Sequence, residues 1–279
     1  MYERYDSNHK ERDVKLPIYR QAIKKAIEQD LVQDEDIIAV FYGGALGNRN
    51  TDNFSDIDLR IVVKDEVYDR YRKNKKQRAS KWGNVLFYED LPYTNYSTAH
   101  YDNFVKVDTF YYHLTDIMPS VWMRNIEVFF DTSEMLEDII DKSMTLSYEL
   151  TPEIIEIWRS KFFAYLHEVY RRVMRNEIYY ALQCLDNIRF SIVKAWYMEA
   201  ELQPNLFGDW AKVEGERSPL KDWQLQLLRS WNASRDPHEI MQILKRIIPE
   251  FKRLHKSLCE QVGMKENEEW VEKVLNKVF

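Results

Sequence analysis

At 279 residues the chain has room for one large domain or two ordinary ones with buried cores. Its 31% charged and 45% hydrophobic residues exclude disorder, and its net charge of -6 argues against a clamp for polyanions and so against a nucleic-acid partner. Apolar runs such as IIAVFY are far too short to span a bilayer, and the polar start MYERYDSNHKERD has no apolar core for a secretion signal. Cys184 and Cys259 lie in helical-looking segments without metal-ligand spacing, which points to a reducing cytoplasm.

In chain order, Leu16 to Gln29 sets Ile18, Ala22, Ile23, Ala26 and Ile27 on one face of a predicted helix. Asp36 to Tyr42 (DIIAVFY) is a short strand stopped by Gly43 and Gly44. DIDLRIVV then alternates with period two, placing Asp56 and Asp58 on one face of a second strand and Ile57 and Leu59 on the other. NVLFYE, NFVKVDTFYYHL and IEVFFD read as further strands of one mixed sheet. Arg70 to Lys81 holds seven basic residues and no acid. It reads as a solvated helix face, with attraction of a triphosphate or a nucleic acid as the alternative.

Long helices follow. Thr151 and Pro152 open one of them as N-cap and first helical residue. Ala181, Leu185, Ile188, Ile192 and Ala195 mark the buried stripe of the next. Asn205 to Pro219 is a loop, Asp236-Pro237-His238-Glu239 starts another helix with a capping-box glutamate, and a last helix runs from about Asn267. The fold class is therefore α+β. A mixed-sheet domain with helices over residues 1–140 precedes an all-α bundle over 141–279, the boundary falling between residues 133 and 151.

Three of the chain's seven glycines, Gly43, Gly44 and Gly47, fall within five residues just ahead of the two carboxylates. Glycines after a strand let backbone approach a phosphate closely, although Gly47 serves the turn alone. Two acids on one strand face repel each other, and a divalent cation resolves the repulsion. Asp108, a lone acid in an apolar and aromatic strand, needs a partner and would complete such a site. Arg49 and Ser55 stand in the loop between, where either can meet a phosphate or simply build the turn.

The pattern Gly43-Gly44, eleven residues, then Asp56-Ile57-Asp58 with Ser55 just before, resembles the nucleotidyltransferase superfamily of polymerase-β type. The strand bearing Asp108 is similar to that family's third-carboxylate strand, and NIEVFFDTSEMLEDII resembles its closing strand and helix. NEIYYALQCLDNIR resembles the C-terminal domain of antibiotic nucleotidyltransferases, especially the aminoglycoside 6-adenylyltransferase group. The resemblance implies Mg²⁺ on Asp56 and Asp58, with Asp108 either a further ligand or the base that takes the acceptor's proton. It implies a nucleoside triphosphate, ATP first, lying over Gly43 and Gly44, with Arg49 and Ser55 beside it. Many relatives carry Ser at the second turn position, where Gly44 can offer only its N–H. The implied partner is a small-molecule hydroxyl acceptor, and a homodimer sharing its sites is compatible with this. Glu168, Glu177 and Asp186 could wall the acceptor and suit a cationic aminoglycoside, or simply be exposed. The rival functions are a nucleotide-binding regulatory or toxin–antitoxin-type module, and transfer to protein or RNA.

Overall fold

Burial at Leu16, Arg20, Ile23, Ile27 and Leu31 gives the first helix, α1 (Lys10–Leu31), its inward face in the computed structural model, which describes residues 5–279. Two sequence expectations fail here. Ile18 is 67% exposed, and the helix starts six residues before Leu16, carrying Pro17 within it. The inward row is spaced by fours and threes as a helix requires. One of its members is an arginine.

The chain divides into two compact units, the first ending at Ser147 and the second running from Tyr148 to Phe279. In the first, β1 (Ile37–Tyr42) leads into a single helical turn, α2 (Gly44–Gly47), and returns as β2 (Ile57–Val63). Next come α3 (Tyr68–Ala79), the meander β3 (Val85–Asp90), β4 (Tyr96–Tyr101) and β5 (Lys106–Tyr112), then β6 (Glu127–Asp131) and α4 (Met135–Met144). The six strands form one mixed sheet in the order β3-β4-β5-β2-β1-β6, in which β2 and β5 pair in parallel and the other neighbours are antiparallel.

The central strands are apolar on both faces because both are covered. Val40, Tyr42, Leu59, Ile61 and Val107 pack with Ile23 and Ile27 of α1 and Tyr71 of α3. Ala39, Phe41 and Val62 pack on the other side with Leu136 and Ile139 of α4. Helices thus cover both faces of one mixed sheet, so β2 is buried on both sides and not on one as its alternation suggests. The basic run departs from its expected solvated state. Six of its seven cations are ion-paired: Arg70 to Asp36, Arg72 to Asp69, Lys75 and Lys76 to Asp90, Arg78 to Asp30 and Asp34, and Lys81 to Asp30. Lys75, 3% exposed, also donates to the carbonyls of Leu91 and Thr94.

The second unit is all-helical: α5 (Pro152–Met174), α6 (Ile178–Glu199), α7 (Asp222–Ser230), α8 (Pro237–Gln261) and α9 (Glu268–Leu275). Thr151 caps α5 by accepting from the Ile154 N–H, and the predicted α6 stripe is buried throughout. It meets Phe162 and Leu166 of α5 and Leu244 and Phe251 of α8 in one core. Asp236 caps α8 through the His238 N–H, but Glu239 closes no capping box: it reaches back to Ser234 instead. Among the described residues no helix is long and apolar enough to cross a membrane.

Candidate active site

Parallel pairing of β2 with β5 sets Asp58 directly beside Asp108. Side chains alternate along a strand, so Asp58 and Arg60 share a face with Lys106, Asp108 and Phe110 across the ladder. Thr98 of β4 is the antiparallel partner of Asp108, and its hydroxyl donates to Oδ1 at 2.5 Å. Asp56 stands one residue before β2 rather than within it. Its Oδ2 lies 2.7 Å from Nζ of Lys106, which is also 2.9 Å from Oδ2 of Asp108. Burial works against a charged Lys106, but its hydrogen bonds to Asp56 and Asp108 outweigh that and hold its pKa above the ordinary lysine value.

Asp58 has a different environment. Burial raises its pKa, the Asp56 charge adds to the rise, and Arg60, with Nη2 3.8 Å from Oδ1, opposes it. Arg60 is itself buried, its guanidinium 3.9 Å over the Phe110 ring and 5.2 Å from that of Trp122.

The glycine turn is built against these acids. The Gly43 N–H donates to the Asp58 carbonyl at 2.9 Å, so it belongs to the sheet and not to a phosphate cradle. Gly44 has φ +55°, and a Cβ there would fall 1.8 Å from Asp58 Oδ2. Gly47 does more than serve the turn, since a Cβ would meet the Asn125 carbonyl at 2.3 Å. Arg49 is exposed in the following loop. The Ser55 hydroxyl is committed locally, donating to the Asp52 carboxylate and accepting from the Asp52 N–H. The loop as a whole is tied down from α1: Arg20 Nη1 donates to the carbonyls of Asp52 at 2.9 Å and Ser55 at 3.0 Å.

The structure therefore gathers Asp56, Asp58, Asp108 and Gly44, keeps Ser55 as a loop brace, and leaves Arg49 at the surface. Sequence reasoning missed Lys106, Thr98, Arg60 and Arg20. Lys106 and Arg60 were within reach, each lying two residues from a named acid on an alternating strand. Arg20 had a weaker signal: a charge in the apolar row of a helix.

A cavity of about 410 Å³ adjoins Asp56, lined in part by Phe54, Phe87, His100, Phe104 and Lys106. His100 stacks on Phe87 with ring centroids 4.1 Å apart, and its Nε2 lies 2.6 Å from Glu89 Oε1. Phe104 has φ +71°, a backbone state that bulky residues rarely adopt, and the Arg12 guanidinium sits 4.0 Å over its ring.

Among the described residues no three His, Cys, Asp or Glu side chains are gathered tightly enough to hold a metal ion as they stand. In kind, the donors nevertheless suit a hard cation: carboxylate oxygens only, on mutually repelling acids. Lys106 supplies the positive charge between Asp56 and Asp108 that a cation would otherwise supply. In the second unit the three acids that could wall an acceptor are each paired with an arginine. Glu168 pairs with Arg171 and Arg172, Glu177 with Arg172, and Asp186 with Arg189.

No protein-family model matches the chain, and no curated protein sequence does. Among solved structures it is similar to an aminoglycoside 6-adenyltransferase from Bacillus subtilis, with 16% identity, TM-score 0.43, and coverage of 93% of this chain and 97% of that one. It is also similar to a nucleotidyltransferase-like protein from Exiguobacterium sibiricum 255-15, with 15% identity, TM-score 0.42, and coverage of 86% and 77%.

Proposed function

We propose that the chain is a nucleotidyltransferase that moves a nucleoside monophosphate, AMP from ATP in the first instance, onto a hydroxyl of a small molecule. The observation that carries this reading is the register pairing Asp58 with Asp108 while the Gly44 backbone lies bare against Asp58. Asp56, Asp58 and Asp108 would hold a Mg²⁺ ion, which when bound neutralises triphosphate charge and polarises the phosphorus under attack.

The chain's own residues do the rest. Gly44 lets the Asp58 carboxylate pack against bare backbone, since any side chain there would push that acid aside. Lys106 offers its ammonium to the arriving triphosphate and releases Asp56 and Asp108 as it turns. The aromatic cavity beside Asp56 takes the base by stacking. Asp108, oriented by Thr98, accepts the proton of the acceptor hydroxyl where Asp56 and Asp58 alone hold the ion. The acceptor oxygen then bonds to the α-phosphorus as the bond to the β-phosphate oxygen breaks, and pyrophosphate leaves in line.

Two finer points follow. The arginine-paired acids of the second unit give no support to a polycationic acceptor, so an aminoglycoside rests on the resemblance of Asn176 to Arg189 alone. Both cysteines are free and buried, in keeping with a cytoplasmic enzyme. The test is pyrophosphate release from each NTP against a library of hydroxyl-bearing antibiotics and metabolites. Asp58→Asn and Asp108→Asn should each abolish it without lowering the unfolding temperature; unchanged turnover in both sinks the site.

One observation favours a second reading. Lys106 neutralises Asp56 and Asp108 without a cation, as suits a regulatory module that binds nucleotide and transfers nothing. Tight nucleotide binding in calorimetry, with no transfer to any acceptor of the library, would select it. Transfer to RNA is disfavoured by the internal pairing of the α3 cations.

A further inference from the structure

The helical unit has a cavity of its own, about 320 Å³, walled by α5, α6 and the loop that follows α6. Its lining is mostly apolar, with Trp158, Met198, Leu206 and Phe207 among the walls. The Trp158 indole N–H is already used, donating to the Ser191 carbonyl at 2.8 Å. Two charged residues line it, Lys161 and Lys194, and no acid does.

Lys194 is partly buried and forms no ion pair or hydrogen bond among the described residues. Burial alone presses its pKa below the ordinary lysine value, with no carboxylate to oppose it. A second donor in the same wall is also unmet: the Tyr148 hydroxyl is buried without a hydrogen-bond partner. Leaving a cation and a phenol uncompensated beside an apolar hollow is costly, and a ligand that pairs with them recovers the cost. At the small end of the range for ligand sites, the hollow suits a compact body of one or two rings.

We propose that this cavity binds a compact amphipathic anion, a carboxylate or phosphate monoester on an apolar body, with Lys194 holding the oxyanion.

The test is calorimetric titration of the full chain with four probes of one shape: naphthoate, naphthyl phosphate, naphthamide and naphthylmethylammonium. At least one anion should bind about tenfold tighter than the amide, and the cation should bind weakest. The better anion tells carboxylate from phosphate. Lys194→Met should cost that anion about tenfold and leave the amide unchanged. If Lys194→Met fails to fold, the charge ranking in the native chain decides alone. Three results overturn the proposal: no binding of either anion at millimolar concentration, a cation bound as tightly as the anions, or an anion affinity unmoved in a folded Lys194→Met.

Discussion

Gly44 and Asp58 approach so closely that a methyl group on the first would lie 1.8 Å from an oxygen of the second. Gly44 also needs φ +55°, which costs an L-residue about 1–2 kcal/mol. Gly44→Ala must therefore turn the Asp58 carboxylate away or displace α2. The expected result is a stability loss of about 2 kcal/mol or more, together with lost nucleotide binding. Thermal unfolding and nucleotide titration of the one variant check both halves.

Arg20 reaches from α1 to hold the loop that delivers Asp56, through the Asp52 and Ser55 carbonyls. Arg20→Met leaves those carbonyls without their donor, at a cost of about 2–3 kcal/mol. With the loop released, transfer should fall roughly ten- to hundredfold with a raised KM for the nucleotide. Arg20→Lys, which restores a donor, should recover part of it. Steady-state kinetics at matched folded fraction make the comparison.

Lys106 and a divalent cation compete for Asp56 and Asp108. Removing the ammonium in Lys106→Met should tighten Mg²⁺ or Mn²⁺ binding in the absence of nucleotide by about tenfold or more. Titration calorimetry measures this directly. Metal affinity that stays level or weakens would mean that Lys106 supports the cation site instead of competing for it.

In the helical unit, His255 is 0% exposed and accepts at Nε2 from Nη1 of Arg159, 3.2 Å away. The proton then lies on Nδ1, facing Glu266 Oε1 at 3.4 Å. Burial, followed by the Arg159 charge, holds the pKa below the ordinary histidine value. The unfolded chain, with its histidine near about 6.5, takes up the proton first. Stability is thus full above about pH 6.5 and declines as the pH falls toward the lower folded value. Denaturant midpoints between about pH 7.5 and 5.5 should show this decline in the native chain and a flatter profile in His255→Gln.

The strands carrying the acids were legible because alternation and the glycine stop are local signals. Pairing was not local. That β2 lies parallel to β5, and so Asp58 beside Asp108, depends on a meander whose middle strand, Tyr96–Tyr101, was missed. YSTAHY lacks apolar alternation; it becomes a strand because Ser97, Thr98 and Ala99 are buried between β3 and β5. Helix α7 escaped for a similar reason, lying just beyond a long irregular loop. Arg20 shows the other limit. Its place in an inward row was readable, but its targets, more than thirty residues away in the chain, were not.

The pairing of α3 has an electrical consequence. Its five tied cations, and Lys81 just beyond it, are each set within 3.3 Å of a carboxylate, so much of their charge reaches the solvent as short dipoles and not as a stripe. Dipole fields die away faster than those of single charges, and salt screens them within about 8–10 Å. A phosphorylated ligand diffusing toward this face feels a weaker long-range pull than seven free cations would exert. Its capture rate on that side should therefore respond less steeply to ionic strength than the basic run alone implies.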